Sequence, residues 1–158
     1  MRYQTRPLSL FHLCALPTVL FSAFAVPAGF AETVYPSVLS ADDLSGEIFA
    51  HPDADAYQEA GVDVINFTSM MATDGRFGVG TYESEAAIEV YTEEEPYDIE
   101  EFMYFLEGGV TLTSSDGTVT EIRAGDAVTI PKEWTGTWKT DGYRKIWVFY
   151  SVEPYEAE

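Results

Sequence analysis

Cysteine is almost missing from this chain: Cys14 is the one thiol in 158 residues. It lies in an apolar N-terminal run, so the rest of the chain has no disulfide and no cysteine-based metal site. Lipidation at Cys14 is excluded as well. Phe11-His12-Leu13 before it lacks the small residues such a site needs, and most of the apolar run follows it. Positive charge is also scarce. Eight Lys and Arg stand against 27 Asp and Glu, a formal charge of -19. Such a chain repels nucleic acid and anionic lipid, so neither is expected as a partner. A solvated acidic surface that keeps the protein soluble accounts for the charge. Only two histidines occur, His12 and His51. No long helical pattern and no internal repeat is visible, which argues against bundles and solenoids.

What the chain does have is apolar and aromatic residues, 46% and 15% of the total. This is enough for a core and argues against disorder despite the charge. The first apolar block is set apart. Arg2 and Arg6 precede a charge-free run from Leu8 to Val26, which ends in Gly29-Phe30-Ala31 and the acidic Glu32. This is the pattern of a secretory signal peptide over residues 1–31, with cleavage after Ala31. An uncleaved anchor is the alternative, since the run is long enough to span a bilayer. Pro17 and the Gly-Phe-Ala site favour cleavage. The mature protein is then expected in the periplasm or outside the cell, with no membrane attachment. It would keep six of the eight basic residues and all the acids.

The remaining chain is expected to form one domain over residues 62–158, preceded by an N-terminal extension over 32–61. In the extension, Ser40-Ala41-Asp42-Asp43 reads as a helix N-cap with acids in the first turn. A strand is expected at Glu47-Ile48-Phe49, then a loop at His51-Pro52-Asp53-Ala54-Asp55. His51 beside Asp53 and Asp55 reads as a solvated loop residue rather than a metal ligand.

From Val62 onward, strand-length pieces alternate with turn residues. Strands are expected over Val62 to Phe67, Arg76 to Tyr82 (with Gly78 and Gly80 interrupting it) and Ala86 to Thr92. The last places Ala87, Glu89 and Tyr91 on one face and Ile88 and Val90 on the other. An acidic loop follows at Glu93 to Asp98, where Pro96 prevents central pairing. Glu101 to Glu107 is apolar on both faces and suits the middle of a sandwich or a subunit interface. Gly108-Gly109 is expected to break it. A hairpin through Ser114-Ser115-Asp116-Gly117 joins Val110–Thr113 to Thr118–Arg123. Strands at Asp126–Pro131, Thr135–Thr140 and Tyr143–Val152 complete the series, the last two joined by Asp141-Gly142. Short strands about ten residues apart mean a β-sandwich or barrel.

Two spacings carry more. Glu101-x6-Gly108 and Gly125-x5-Pro131 resemble the two halves of the cupin signature, G-x5-H-x-H-x3,4-E-x6-G and G-x5-P-x-G-x2-H-x3-N. The resemblance covers about the last sixty residues. Trp134-x-Gly136-x-Trp138 followed by Arg144-Lys145 is similar to the ureidoglycine aminohydrolase-type cupins, related to the ethanolamine-utilisation cupins. The resemblance implies an all-β fold, a single cupin jelly-roll β-barrel with a short N-terminal extension, and a homodimer is compatible with it. In typical cupins three His and one Glu hold a divalent metal inside the barrel. Here the Glu position is Glu101. The paired His positions fall on Glu95 and Tyr97, or on Glu94 and Pro96 under the longer spacing. The last His position is Gly136, and the glycine after the proline is Glu133. One carboxylate does not hold a transition metal, so no metal and no other cofactor is expected. A calcium site of oxygen ligands in the Glu93–Asp98 loop is the alternative to a solvated acidic run.

Strand parity then places Glu101 with Met103 and Phe105, Lys145 with Trp147 and Phe149, and Gly136 with Trp134 and Trp138. Glu101 and Lys145 are expected to face one interior within salt-bridge or single-water reach, since a charge there needs a partner. The expected ligand-binding set is Tyr91, Glu101, Met103, Trp134, Gly136, Trp138, Lys145 and Trp147. Two readings of these residues stand side by side: a small-molecule site with aromatic walls, or a packed core with an internal ion pair. Three functions follow: a metal-independent binding module for a polar or amino-bearing metabolite; an enzyme acting on a small nitrogenous compound, ureido or amino acid in type, with Glu101 as acid or base and Lys145 as its electrostatic partner; or a structural protein.

Overall fold

In the computed structural model of this protein the described residues are 34–155. The expected signal peptide, with Cys14, lies outside them. A one-turn helix, α1 (Ala41–Leu44), opens the described part, capped as expected: Ser40 Oγ accepts from the Asp43 amide, and the Asp43 carboxylate accepts from the Ser40 amide. The strand expected at Glu47-Ile48-Phe49 is instead a 3-10 helix, Glu47–Ala50. Local turns close here, with the Phe49 amide on Gly46 and the His51 amide on Ile48. Burial of Ile48 and Phe49 overrides their strand preference.

Nine strands follow: β1 (Asp55–Glu59), β2 (Val62–Met71), β3 (Phe77–Ser84), β4 (Ala87–Tyr91), β5 (Glu100–Ser114), β6 (Val119–Arg123), β7 (Ala127–Ile130), β8 (Gly136–Thr140) and β9 (Tyr143–Tyr150). All pairings are antiparallel, in the path β1-β2-β3-β9-β5-β8-β4, with β6 and β7 also on β5. Among the described residues this is an all-β jelly roll. β1 was not foreseen in the sequence. Its residues, Asp-Ala-Tyr-Gln-Glu, carry no apolar alternation, but a turn at Ala60-Gly61, both at positive φ, folds them back on β2.

The 15-residue β5 organises the fold. Its first half, to Gly108, pairs with β9 and β7, and its second half, from Gly109, pairs with β8 and β6. Gly108-Gly109 therefore does not break the strand. The chain bends there, after a register shift between Phe105 and Glu107, and carries one strand from one sheet layer into the other. Nor is β5 buried on both faces. Glu101, Met103 and Phe105 are buried, whereas Phe102 and Tyr104 are 44% and 39% exposed. Met103 and Phe105 join Val110, Leu112, Ile122, Ile130, Trp138 and Tyr143 in one core.

The glycines that interrupt β3 have a packing reason. A Cβ on Gly80 would lie 2.4 Å from the Trp147 ring and 2.2 Å from the Phe67 carbonyl oxygen. A bare backbone at this position, opposite Trp147 in the register, lets that ring lie across the strand. The sheet thus carries a large aromatic surface on its inner face.

Candidate functional site

The inner face of the jelly roll is only partly filled. A cavity of about 900 Å³ opens between the two layers. Glu101 of β5 and Lys145 of β9 lie at its inner end, 5% and 7% exposed. Lys145 sits opposite Phe105 in the register, not opposite Glu101. Its long side chain runs back along the strand past Met103, to whose sulfur Nζ comes within 3.1 Å, and donates to Glu101 Oε1 at 3.0 Å. The same ammonium lies 5.4 Å from the Tyr82 and Trp138 ring centroids and 5.7 Å from Tyr143. An aromatic cage therefore holds one cation already.

The other oxygen of Glu101 accepts from the Tyr97 hydroxyl. Tyr97 lies on the loop before β5, and two backbone hydrogen bonds pin it. Its amide donates to the Trp134 carbonyl at 3.0 Å, and its own carbonyl accepts from the Glu133 amide at 2.7 Å. Burial drives the Tyr97 phenol well above its ordinary range, and the adjacent Glu101 adds to the effect. Tyr97 is therefore a donor, and Glu101 accepts from two buried groups.

Two further tyrosine–carboxylate pairs line the same cavity. Tyr82 of β3 donates to Glu59 of β1 at 2.6 Å. Tyr91 of β4 donates to Glu89 of the same strand at 2.6 Å. Burial raises both phenols, and the bonded carboxylates raise them further. Burial does the same to Tyr143, which also feels Glu89, Glu101 and Glu59.

Of the residues expected to bind ligand, Tyr91, Glu101, Trp138, Lys145 and Trp147 line the cavity. Met103, Trp134 and Gly136 do not. Met103 is fully buried beneath Lys145. Trp134 packs on Tyr91 with ring centroids 5.7 Å apart, and its indole N–H donates to Ser114. Gly136 is small for a backbone reason. Its φ is +154°, and a Cβ would meet the Thr113 carbonyl oxygen at 2.3 Å. The residues that sequence reasoning missed are Tyr97, Tyr82, Tyr143, Glu59 and Asn66, which accepts from the Trp147 indole at 3.0 Å. Tyr97, like the cavity-lining Glu95, left a signal by falling on a position where the resemblance expects histidine.

The cupin metal does not fit this donor set. Its Glu position, Glu101, is already bonded to an ammonium and a phenol, and the last His position has no side chain. Among the described residues no group of three or more His, Cys, Asp or Glu is disposed to hold a metal ion, and this includes the Glu93–Asp98 loop. His51 is exposed, 3.8 Å from Asp53, with its ring edge-on to Phe67.

Residues 74–146 match the family model for the EutQ-like cupin domain. Among solved structures the chain is similar to a protein of unknown function from Pseudomonas syringae pv. tomato, at 17% identity and a TM-score of 0.54 over 61% of this chain and 43% of that one. It thus spans less than half of that protein's length. It is also similar to ectoine synthase from P. lautus, at 14% identity and a TM-score of 0.50, covering 68% and 76% of the two chains. The EutQ protein of Clostridium difficile aligns at 20% identity and a TM-score of 0.49, covering 63% and 77%. At these identities the likeness to solved structures is one of fold. No curated protein matches the chain.

Proposed function

We propose, for a chain that carries an EutQ-like domain of the cupin superfamily, a metal-independent binding module that takes a polar, amino-bearing metabolite in its cavity. Such a domain is a small-molecule-binding or an enzymatic unit. The observation that carries the finer reading is the Lys145 ammonium, 3.0 Å from the carboxylate at the cupin Glu position. A side-chain cation takes up the charge of that carboxylate, and the space in front of it is lined by aromatic rings. A concave site with aromatic walls and a few convergent polar groups is the usual form of a small-ligand pocket.

A thermal-shift screen of small amines, amino acids and neutral amides tests this, read together with quenching of tryptophan fluorescence. The expected result is a saturable stabilisation that Trp138→Ala or Trp147→Ala weakens. A screen without any stabilising compound overturns the reading.

A second reading is an enzyme acting on a small nitrogenous compound. Tyr97, Glu101 and Lys145 form a continuous donor–acceptor chain at the cavity end. Such a chain suits Glu101 to general acid or base work. Turnover of a ligand found in the screen, abolished by Glu101→Gln with binding retained, would select the enzyme over the binding module.

Export is part of the proposal. The charge-free run before Ala31 and the excess of acids after it support it. N-terminal sequencing of protein from the export compartment is expected to begin at Glu32. A start at Met1 on membrane-bound material would reverse it.

A further inference from the structure

We infer that the cavity selects its ligand in the ammonium form, with Glu59 and Glu89 receiving the charge. The inference rests on the binding reading above and narrows it to a chemical class, aliphatic amines, with diamines preferred to monoamines.

The first observation is a strand with a carboxylate on its inward face. A strand covering a core turns its apolar residues inward. β4 departs from this: Ala87 is buried, but the next two inward positions are Glu89 and Tyr91, which line the cavity with Val90, while Ile88 and Val90 are 67% and 63% exposed. Side-chain parity in a strand is all or none, so a one-residue slip would have buried the two aliphatics. The backbone instead presents a carboxylate to the interior, and the Tyr91 hydroxyl holds it there at 2.6 Å. β1, at the other free end of the sheet path, carries Glu59, an exposed residue that also lines the cavity and accepts from Tyr82.

The second observation is a charge imbalance. Lys145 is the one basic residue lining the cavity, and it is bonded to Glu101. Among the described residues Glu59 and Glu89 have no basic partner, and each is bonded instead by a neutral phenol. Glu95 and Asp98 add negative charge to the same cavity wall. A cavity wall with an excess of one sign of charge concentrates the opposite one.

The third observation concerns the walls. Tyr82, Tyr143 and Trp138 already stand around one ammonium, that of Lys145, at 5.4 to 5.7 Å. Tyr82 is also the donor to Glu59, so ring face and carboxylate converge on the same space. Aromatic faces with carboxylates between them recognise organic cations. A hydrated metal ion makes no use of the rings, and an anion meets several carboxylates against one ammonium that is already bonded to Glu101. Two unpaired carboxylates on separate strands match two ammonium groups.

Isothermal titration of the full mature chain with 1,4-diaminobutane, butylamine and succinate tests this. The diamine is expected to bind more tightly than the monoamine, and succinate not at all. Glu59→Gln with Glu89→Gln is expected to weaken the diamine by about tenfold or more. Circular dichroism of that variant shows whether it is folded. If it is not, loss of diamine affinity on raising the salt concentration replaces it as the readout. Succinate or a neutral ligand binding better than the amines would overturn the charge selection and leave the pocket standing. Amine binding with the same affinity in the double variant, or insensitive to salt, would overturn the assignment to Glu59 and Glu89. No binding by either amine would overturn the inference, while the wider screen above decides the pocket itself.

Discussion

The Lys145 ammonium donates to Glu101 at 3.0 Å although the two residues lie on different strands and 44 positions apart, and both are almost completely buried. A buried pair of this kind contributes little net stability, because desolvation offsets the attraction. Breaking it strands a charge. Lys145→Met is therefore expected to cost about 3–5 kcal/mol in a urea titration. The double change Glu101→Gln with Lys145→Met is expected to cost less than Lys145→Met alone. Additive effects in this double-mutant cycle would remove the pair as an energetic unit.

Tyr97→Phe removes the donor to the second oxygen of Glu101 and keeps the ring. The lost bond leaves a buried acceptor unsatisfied, so a loss of about 1–3 kcal/mol is expected. A change indistinguishable from wild type in chemical denaturation would mean that water replaces the hydroxyl.

Alkaline pH should unfold the protein through its buried tyrosines. Tyr97 and Tyr143 are held well above their ordinary value of 10.0, chiefly by burial. In the unfolded chain they ionise near 10.0, so above that pH the native state binds more protons than the unfolded one. Stability is therefore fully present below pH 10.0 and is lost as the pH rises beyond it. Tyrosinate absorbance followed against pH is expected to show the exposed phenols titrating first. These two should appear only with the unfolding transition, and their ionisation in a folded protein would contradict the burial argument.

Gly136→His restores the residue type of the cupin pattern but not its site. The added Cβ would meet the Thr113 carbonyl at 2.3 Å. Overpacking of this kind costs about 1–3 kcal/mol, so a lower melting temperature is expected. Added manganese, iron or nickel is expected not to recover it. Recovery by one of these metals would show that β8 shifts to accept a ligand there.

The purified protein is expected to carry no stoichiometric transition metal, and its melting temperature to be unchanged by a chelator. Elemental analysis decides this. About one metal ion per chain, lost on Glu101→Gln, would reveal an unconventional ligand set.

Local physics made much of this molecule legible in its sequence. The two-residue period put Glu101 with Met103 and Phe105, and Glu89 with Tyr91, on the correct faces, because side-chain alternation is a property of the single strand. Turn chemistry placed the hairpin at Ser114–Gly117 and the turn at Asp141-Gly142. What local pattern left out depends on residues far apart. β1 is polar and short, and it is a strand only because β2 offers it an edge. Ile48 and Phe49 favour a strand, yet local turn bonds and burial make Glu47–Ala50 a 3-10 helix. Gly108-Gly109 reads as a stop, yet β9 and β8 on either side of it carry β5 through the bend. Glu59 reaches Tyr82 across 23 positions, and Tyr97 reaches Glu101 only because two backbone bonds to residues 133 and 134 hold its loop. The sequence by itself determined the class of fold, the faces of its strands and the residues that had charges to place. The tertiary structure decided which charges met, because register and loop docking are settled by packing between strands and not by the pattern within any one of them.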